Sequence, residues 1–471
     1  MDLKTEKLIK NTGILAVGNF GSKILIFLLV PLYTAVLTVD EYGSYDILIS
    51  TISLLIPILT LNISDAILRF PIDKNADNPK IIHTGIMLVF LSGIIVLLIQ
   101  VFPNSPWAQM SGIQYLGVVY YSTAFYQLLT LFARGLEKMA LVAISGLINT
   151  STMIILNVVL LLAFDFGLDG FFIAQIVSMI SPSVFLVVCL RKEIFARPKT
   201  SNNTLIIKMV KYSLPLATTV VGWWFITTAD RYIILVLCGV EANGLYSIAY
   251  KIPAILSTIS GIFLQAWQVS AVKNFDPCDS DSFLRNTFKT VEMLLVLICS
   301  ILLPFTPVLA AFLFSGDFYS AWEYVPLLLI YAVLNTMGGM WAPFFSVGFS
   351  TKPMVISTLL SGVVNVILGI ILVTFLGIQG AVISSLVSSV INWGYRGIKV
   401  KKCISVDFGM KKSLVLYLIL VIQASSILVF SSAAWIPLNV FLFSGLVFFY
   451  KKNLINGFVF LKSVFKRKGK E

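Results

Sequence analysis

Long apolar runs follow one another along the chain, each near the length of a membrane crossing and each closed by a short polar connector. A helix needs about 20 apolar residues to cross the hydrocarbon of a bilayer. The runs 12–37, 44–68, 84–102, 112–133, 140–164, 168–190, 212–238, 244–268, 290–314, 322–348, 354–376, 378–396, 413–431 and 434–450 meet that requirement. They predict an all-α integral membrane protein of about 14 transmembrane helices. Several connectors are only a few residues long, so sequential helices are expected to be antiparallel neighbours.

The connectors also carry a repeat. Val39-Asp40-Glu41-Tyr42-Gly43-Ser44-Tyr45 returns as Val240-Glu241-Ala242-Asn243-Gly244-Leu245-Tyr246, displaced by 201 residues from Val39 to Val240. Gly167-Leu168-Asp169-Gly170 returns as Gly377-Ile378-Gln379-Gly380, displaced by 210 residues from Gly167 to Gly377. Two matches in the same order and at nearly the same offset predict a duplicated six-helix bundle. Six crossings return the chain to its starting side, so both copies run the same way, related by an axis along the membrane normal. The expected organisation is an N-terminal lobe at 1–199, a second lobe at 200–411, and two added helices with a basic tail at 412–471.

Composition removes the soluble alternatives. The 471 residues are 58% hydrophobic and 12% charged, against about 45–50% and about 25% in soluble domains. The net charge of +12 would suggest nucleic acid if it were clustered on one face. It is spread instead over alternate connectors. All of the 34 Lys and Arg except Lys23, Arg231 and Lys251 fall on one side if the N-terminus is cytoplasmic. The opposite connectors hold Asp40, Glu41, Asp165, Asp169, Glu241, Asp317 and Glu323. Positive charge marks cytoplasmic loops, so both termini are expected in the cytoplasm. The first run has no cleavage site before it and reads as an uncleaved anchor. The five cysteines show no metal or redox spacing, and the one histidine, His83, borders a predicted span. No phosphate-binding loop, metal cluster or nucleophile constellation is present, so neither a cofactor nor catalysis is expected.

Polar residues inside the spans supply the candidate site. Asp46, Ser50, Ser53, Pro57, Thr60 and Ser64 recur at steps of three and four, one face of a helix. The same stripe at the 201-residue offset is Ser247, Lys251, Ala254, Thr258, Gly261 and Gln265. Asn19 and Lys23 share a face of the first span, and Trp224 shares a face with Arg231. A charge near the bilayer centre costs about 2.5–3.5 kcal/mol on insertion scales, so it faces a cavity or a partner. An aqueous cavity between the two bundles is the simplest arrangement. It is lined by Asn19, Ser50, Ser53, Thr60, Trp224, Thr258 and Gln265, with Lys23, Arg231 and Lys251 as its cations. Asp46 is a candidate outer gate that approaches Lys251 or Arg231 when the lobes close. Asp65 and Arg69, four residues apart, predict a local ion pair.

The segments Gly18-Asn19-Phe20-Gly21-Ser22-Lys23, Pro31-Leu32-Tyr33-Thr34, Glu41-Tyr42-Gly43 and Asp65-Ala66-Ile67-Leu68-Arg69-Phe70 resemble bacterial polysaccharide-biosynthesis flippases. So do Trp223-Trp224, Asp230-Arg231-Tyr232, Gly244-Leu245-Tyr246-Ser247 and Ala249-Tyr250-Lys251. These are the O-antigen and exopolysaccharide repeat-unit translocases of the multidrug/oligosaccharidyl-lipid/polysaccharide exporter superfamily. The resemblance implies two six-helix lobes forming a V, alternating access, and export of an undecaprenyl-pyrophosphate-linked oligosaccharide across the bacterial inner membrane. It implies membrane lipid, a polysaccharide polymerase and a chain-length regulator as partners, with the three cations serving the pyrophosphate. A drug/cation antiporter or a lipid II flippase of the same superfamily would share the fold. A membrane glycan polymerase would need a long extracytoplasmic loop, and no outside connector is long.

Overall fold

A computed structural model describes residues 27–73, 76–101, 111–198, 204–273, 275–276, 278–280, 282–347, 352–430 and 434–451. Every regular element among them is helical. Lys23 and Asn19 lie outside the described residues.

Packing groups the chain into two units, Met1–Ile248 with Leu313–Phe318, and Ala249–Phe312 with Tyr319–Glu471. The first holds α1 (Val30–Val36), α2 (Val39–Leu59), α3 (Ile63–Arg69), α4 (Asn78–Val101), α5 (Leu116–Gly135), α6 (Met139–Val158), α7 (Gly167–Cys189), α8 (Arg191–Ile194), α9 (Thr204–Cys238) and nearly all of α10 (Val240–Ala249). The second holds α11 (Lys251–Lys273), all but the end of α12 (Phe283–Leu313), α13 (Val325–Gly339), α14 (Ala342–Val347), α15 (Lys352–Leu376), α16 (Ile378–Val400) and α17 (Met410–Val429). A final helix, α18, runs Ala434–Lys451. The packing boundary near residue 248 differs from the repeat boundary near 199 because α9 and α10 pack in the first unit.

Twelve helical segments among the described residues are long and apolar enough to cross a membrane. The other two predicted spans have simple explanations. Most of 12–37 lies outside the described residues, and 378–396 is the 23-residue α16. Its buried Ser384, Ser385, Ser388 and Ser389 make that helix less apolar without shortening it. Side chains such as Leu98, Ile155, Phe375 and Phe441 are more than half exposed, as expected where the solvent is lipid.

Breaks interrupt several predicted spans among the described residues; span 322–348, for one, is α13 followed by α14 across a turn at Met340 and Trp341. Span 44–68 is α2 followed by α3, because Leu61 and Asn62 take left-handed backbone angles, φ 55° and 51°. Pro57 loosens the ladder just before the break, and the Asn62 amide donates back to the Pro57 carbonyl at 2.8 Å. Span 244–268 is α10 followed by α11. Pro253 has no amide to give the Ala249 carbonyl, so the helix restarts at Lys251. The break in span two also redirects its charges. The Asn62 side chain donates to Asp65 at 2.7 Å, and Arg69 pairs with Asp73 at 2.8 Å. The expected Asp65–Arg69 pair is therefore replaced by two local contacts, three and four residues apart.

Among the described residues, the helices of the second unit contain two buried charges that the loop count did not single out. Arg396 was assigned to a cytoplasmic connector, yet it sits in α16, 7% exposed. Its guanidinium donates to Ser357 Oγ at 2.8 Å, Gly338 O at 3.0 Å and Thr358 Oγ1 at 2.8 Å, tying α13, α15 and α16 together. Glu292 in α12 is 4% exposed and accepts the Tyr417 hydroxyl at 2.8 Å, which fixes α17 to α12. Ser300 of α12 donates to Gln423 Oε1 at 2.8 Å, and Asn439 of α18 donates to Ser426 at 2.8 Å. Polar bonds do this work because lipid gives helices no hydrophobic reason to associate.

Candidate functional site

The charged stripe of α2 meets α9 and α10 in a compact seam within the first unit. α2 is started by a capping box. Thr38 Oγ1 accepts the Glu41 amide at 3.2 Å and Glu41 accepts the Thr38 amide at 2.8 Å. That cap holds Gly43 and Asp46 one and two turns inside the helix. At Gly43 the α10 backbone comes so close that a Cβ would stand 2.2 Å from the Val240 carbonyl oxygen. At Gly244 a Cβ would stand 2.2 Å from the Val39 carbonyl oxygen. The two contacts are reciprocal at the 201-residue offset. Asp46 and Ser247, one offset apart, also touch each other directly. Self-pairing of equivalent positions is the signature of a two-fold axis, so the internal repeat is expressed here as local pseudo-symmetry.

Asp46 breaks that symmetry. Arg231 Nη1 donates to its Oδ1 at 2.9 Å and to Ser50 Oγ at 2.9 Å. Ser247 Oγ donates to Oδ2 at 2.6 Å, and Asn243 Nδ2 reaches Oδ2 at 3.4 Å and the Gly43 carbonyl at 3.2 Å. The Asp46 side chain is 11% exposed and that of Arg231 25%, so this is a half-buried ion pair closed on one side. Asp230 points elsewhere and accepts the Tyr246 hydroxyl at 3.3 Å, consistent with the 100° between adjacent helical residues.

Trp224 completes the seam. Its indole N–H lies 2.9 Å from the Ser50 carbonyl and 3.0 Å from Ser53 Oγ, and its ring lies 5.2 Å from that of Tyr232. The Tyr232 and Thr51 hydroxyls share a hydrogen bond of 2.7 Å. The structure thus brings together Asp46, Ser50, Ser53, Trp224 and Arg231. Thr60 is buried at the helix break and donates to its own Ile56 carbonyl at 2.6 Å. Lys251, Thr258 and Gln265 belong to α11 in the second unit. There Lys251 is half-buried, Thr258 donates to the Ala254 carbonyl at 2.8 Å, and Gln265 is exposed.

Asn243, Thr51 and Tyr232 were not among the expected site residues. Asn243 could have been found, because it lies one turn before Ser247 on the face that the repeat offset marks. Thr51 and Tyr232 carry no such signal, since their pairing depends on how α9 crosses α2. Among the described residues, no group of three His, Cys, Asp or Glu side chains could hold a metal ion.

Solved structures share this arrangement of long apolar helices. The "Lipid II flippase MurJ, inward closed conformation" superposes with a TM-score of 0.68 at 14% identity, covering 93% of this chain and 99% of that one. An inward-facing multidrug resistance MATE family transporter of the MOP superfamily gives 0.62 at 16% identity, over 82% and 94%. A MOP superfamily transporter from Pyrococcus furiosus gives 0.51 at 15%, over 84% and 96%. At these identities the likeness is one of fold. No curated protein matches the sequence. Residues 8–269, more than half of the chain, match the polysaccharide biosynthesis protein family, and the protein belongs to that family. It is a multi-pass membrane protein.

Proposed function

We propose that the protein is a flippase, not an enzyme, that carries an undecaprenyl-pyrophosphate-linked oligosaccharide from the inner to the outer leaflet of the bacterial cytoplasmic membrane. The observation that carries this reading is the Arg231–Asp46 pair at 2.9 Å, a half-buried cation held by an exchangeable carboxylate. A pyrophosphate offers Arg231 the same bidentate oxygens as a carboxylate, with more charge. Lys23 and Lys251 are the further cations of the path. Release of Arg231 to the ligand frees Asp46 and loosens the contact of α2 with α9 and α10, so the pair acts as the outer gate. Binding and opening are then coupled by the ligand's differential affinity for the two states. An organic-cation carrier would need a carboxylate available to its cargo. Here Asp46 already accepts from Arg231, Ser247 and Asn243.

The family match and the fold support a lipid-linked cargo, and the sidedness of Lys and Arg supports cytoplasmic termini. Two experiments test the reading. Inactivating the gene should cause lipid-linked repeat units to accumulate on the cytoplasmic leaflet, and normal surface polysaccharide would refute it. Cysteines at the exposed positions Asp40 and Ser320 should react with an impermeant thiol reagent in intact cells stripped of native cysteines. Cysteines at Ser280 and Ser405 should stay unlabelled, and the reverse pattern would invert the orientation.

A further inference from the structure

Against the charged seam, around α2, lies a cavity of about 270 Å3. α2 forms its long wall from Ser44 to Leu55, about 16 Å of helix rise. Ile99 of α4 and Leu116 of α5 face that wall, and Ile113 stands beside Leu116. The cavity touches the seam at one place, the bonded hydroxyls of Thr51 and Tyr232. Its other polar edge, Gln100, is engaged with the Gln114 carbonyl at 2.8 Å and the Gly117 amide at 3.1 Å. Ser44 contributes a buried hydroxyl without a partner.

We propose that this slot holds the pyrophosphate-proximal isoprene units of the lipid-linked substrate while its pyrophosphate occupies Arg231, an assignment that rests on the flippase reading above. The slot falls below the roughly 300–1,000 Å3 of small-molecule pockets, too small for an oligosaccharide or a whole polyprenyl chain, and its apolar walls suit the few isoprene units next to the pyrophosphate. Most of its polar edge is already hydrogen-bonded, which leaves little for a hydroxylated ligand. α2 and α9 carry seam and slot residues side by side: Asp46 beside Ile47, Ser50 beside Thr51, Arg231 beside Tyr232. A head group at Arg231 therefore places its chain at the mouth of the slot. Hydrocarbon gains nothing by leaving lipid for an equally apolar wall. Occupancy must come from shape and from the tether, which raises the local concentration of the chain. A phospholipid tail, with no pyrophosphate at Arg231, lacks that tether and exchanges freely.

The test places p-benzoylphenylalanine at Leu54 in the full-length protein and reconstitutes it in vesicles of phospholipid containing undecaprenyl pyrophosphate. Irradiation should give a polyprenyl adduct by mass spectrometry, and the adduct should fall at least tenfold when Arg231→Ala and Asp46→Ala are added together. Adducts with phospholipid alone would overturn the proposal. Leu54→Trp and Ile113→Trp, which fill the slot, should lower glycan export about tenfold at normal membrane abundance, and unchanged export would overturn it too. A wild-type chain that exports no glycan defeats the flippase reading itself. Normal export with phospholipid-only adducts defeats the slot alone.

Discussion

Alanine at Gly43 is expected to drive α2 and α10 apart and leave the seam open. The new Cβ would stand 2.2 Å from the Val240 carbonyl oxygen and 3.0 Å from the Gly244 amide nitrogen, both in the opposing backbone. Backbone cannot swing aside as a side-chain tip can. Relief requires the helices to separate by about 1 Å, and overpacking of this kind costs about 1–3 kcal/mol. An energy of that size shifts a two-state equilibrium about 5- to 150-fold. The 2.6 Å bond between Ser247 and Asp46 would be lost first. A cysteine at Ser50 should then become reactive from outside, and export should fall sharply. Gly244→Ala should reproduce the phenotype because it strikes the same crossing from the other side. The double variant should cost little more than either single one, since coupled neighbours are not additive. Normal export from Gly43→Ala, or two fully additive losses, would show that the crossing does not govern the gate.

The second large effect separates fold from function at Arg231. Removing Arg231 alone leaves the Asp46 carboxylate largely buried without its cation, and breaking such a pair costs about 3–5 kcal/mol. With Arg231 a quarter exposed, the cost should sit at or below the lower end of that range. Arg231→Ala should therefore reduce both protein level and export. Adding Asp46→Ala removes the stranded charge and should restore the level in the membrane, yet export should stay at background. Arg231→Lys should retain the level and a fraction of export, because an ammonium replaces a bidentate fork. Export returning together with protein level in the double variant would make the pair a structural clip and nothing more.

Much of this architecture can be read from the sequence because lipid imposes two simple rules, on length and on charge. The spans follow from the first, and the sidedness proposal rests on the second. The 201-residue offset reached further, since it linked Asp46 to Ser247 before their contact was visible. Where reasoning from sequence stopped short, the cause was a bend or a distant partner. The left-handed Leu61 and Asn62 end α2 and send Asp65 to Asn62 rather than Arg69. Glu292 finds its donor 125 residues away at Tyr417, and no periodicity within one helix could announce that. Arg396 looked like one more loop cation because hydropathy does not register three neutral oxygens around a guanidinium.

The separation of the two paired charges along the chain has a consequence for how the protein is made. Asp46 and Arg231 lie 185 residues apart. Chains grow at about 5–20 residues per second, so Asp46 is synthesised about 10–40 s before Arg231 exists. During that interval the carboxylate has none of its eventual donors from α9 and α10, and the nascent first helices must shelter it in water, at the insertion machinery or in its protonated form. Completion of the ion pair thus waits on α9, and chains truncated or stalled before α9 should be degraded faster than full-length chains.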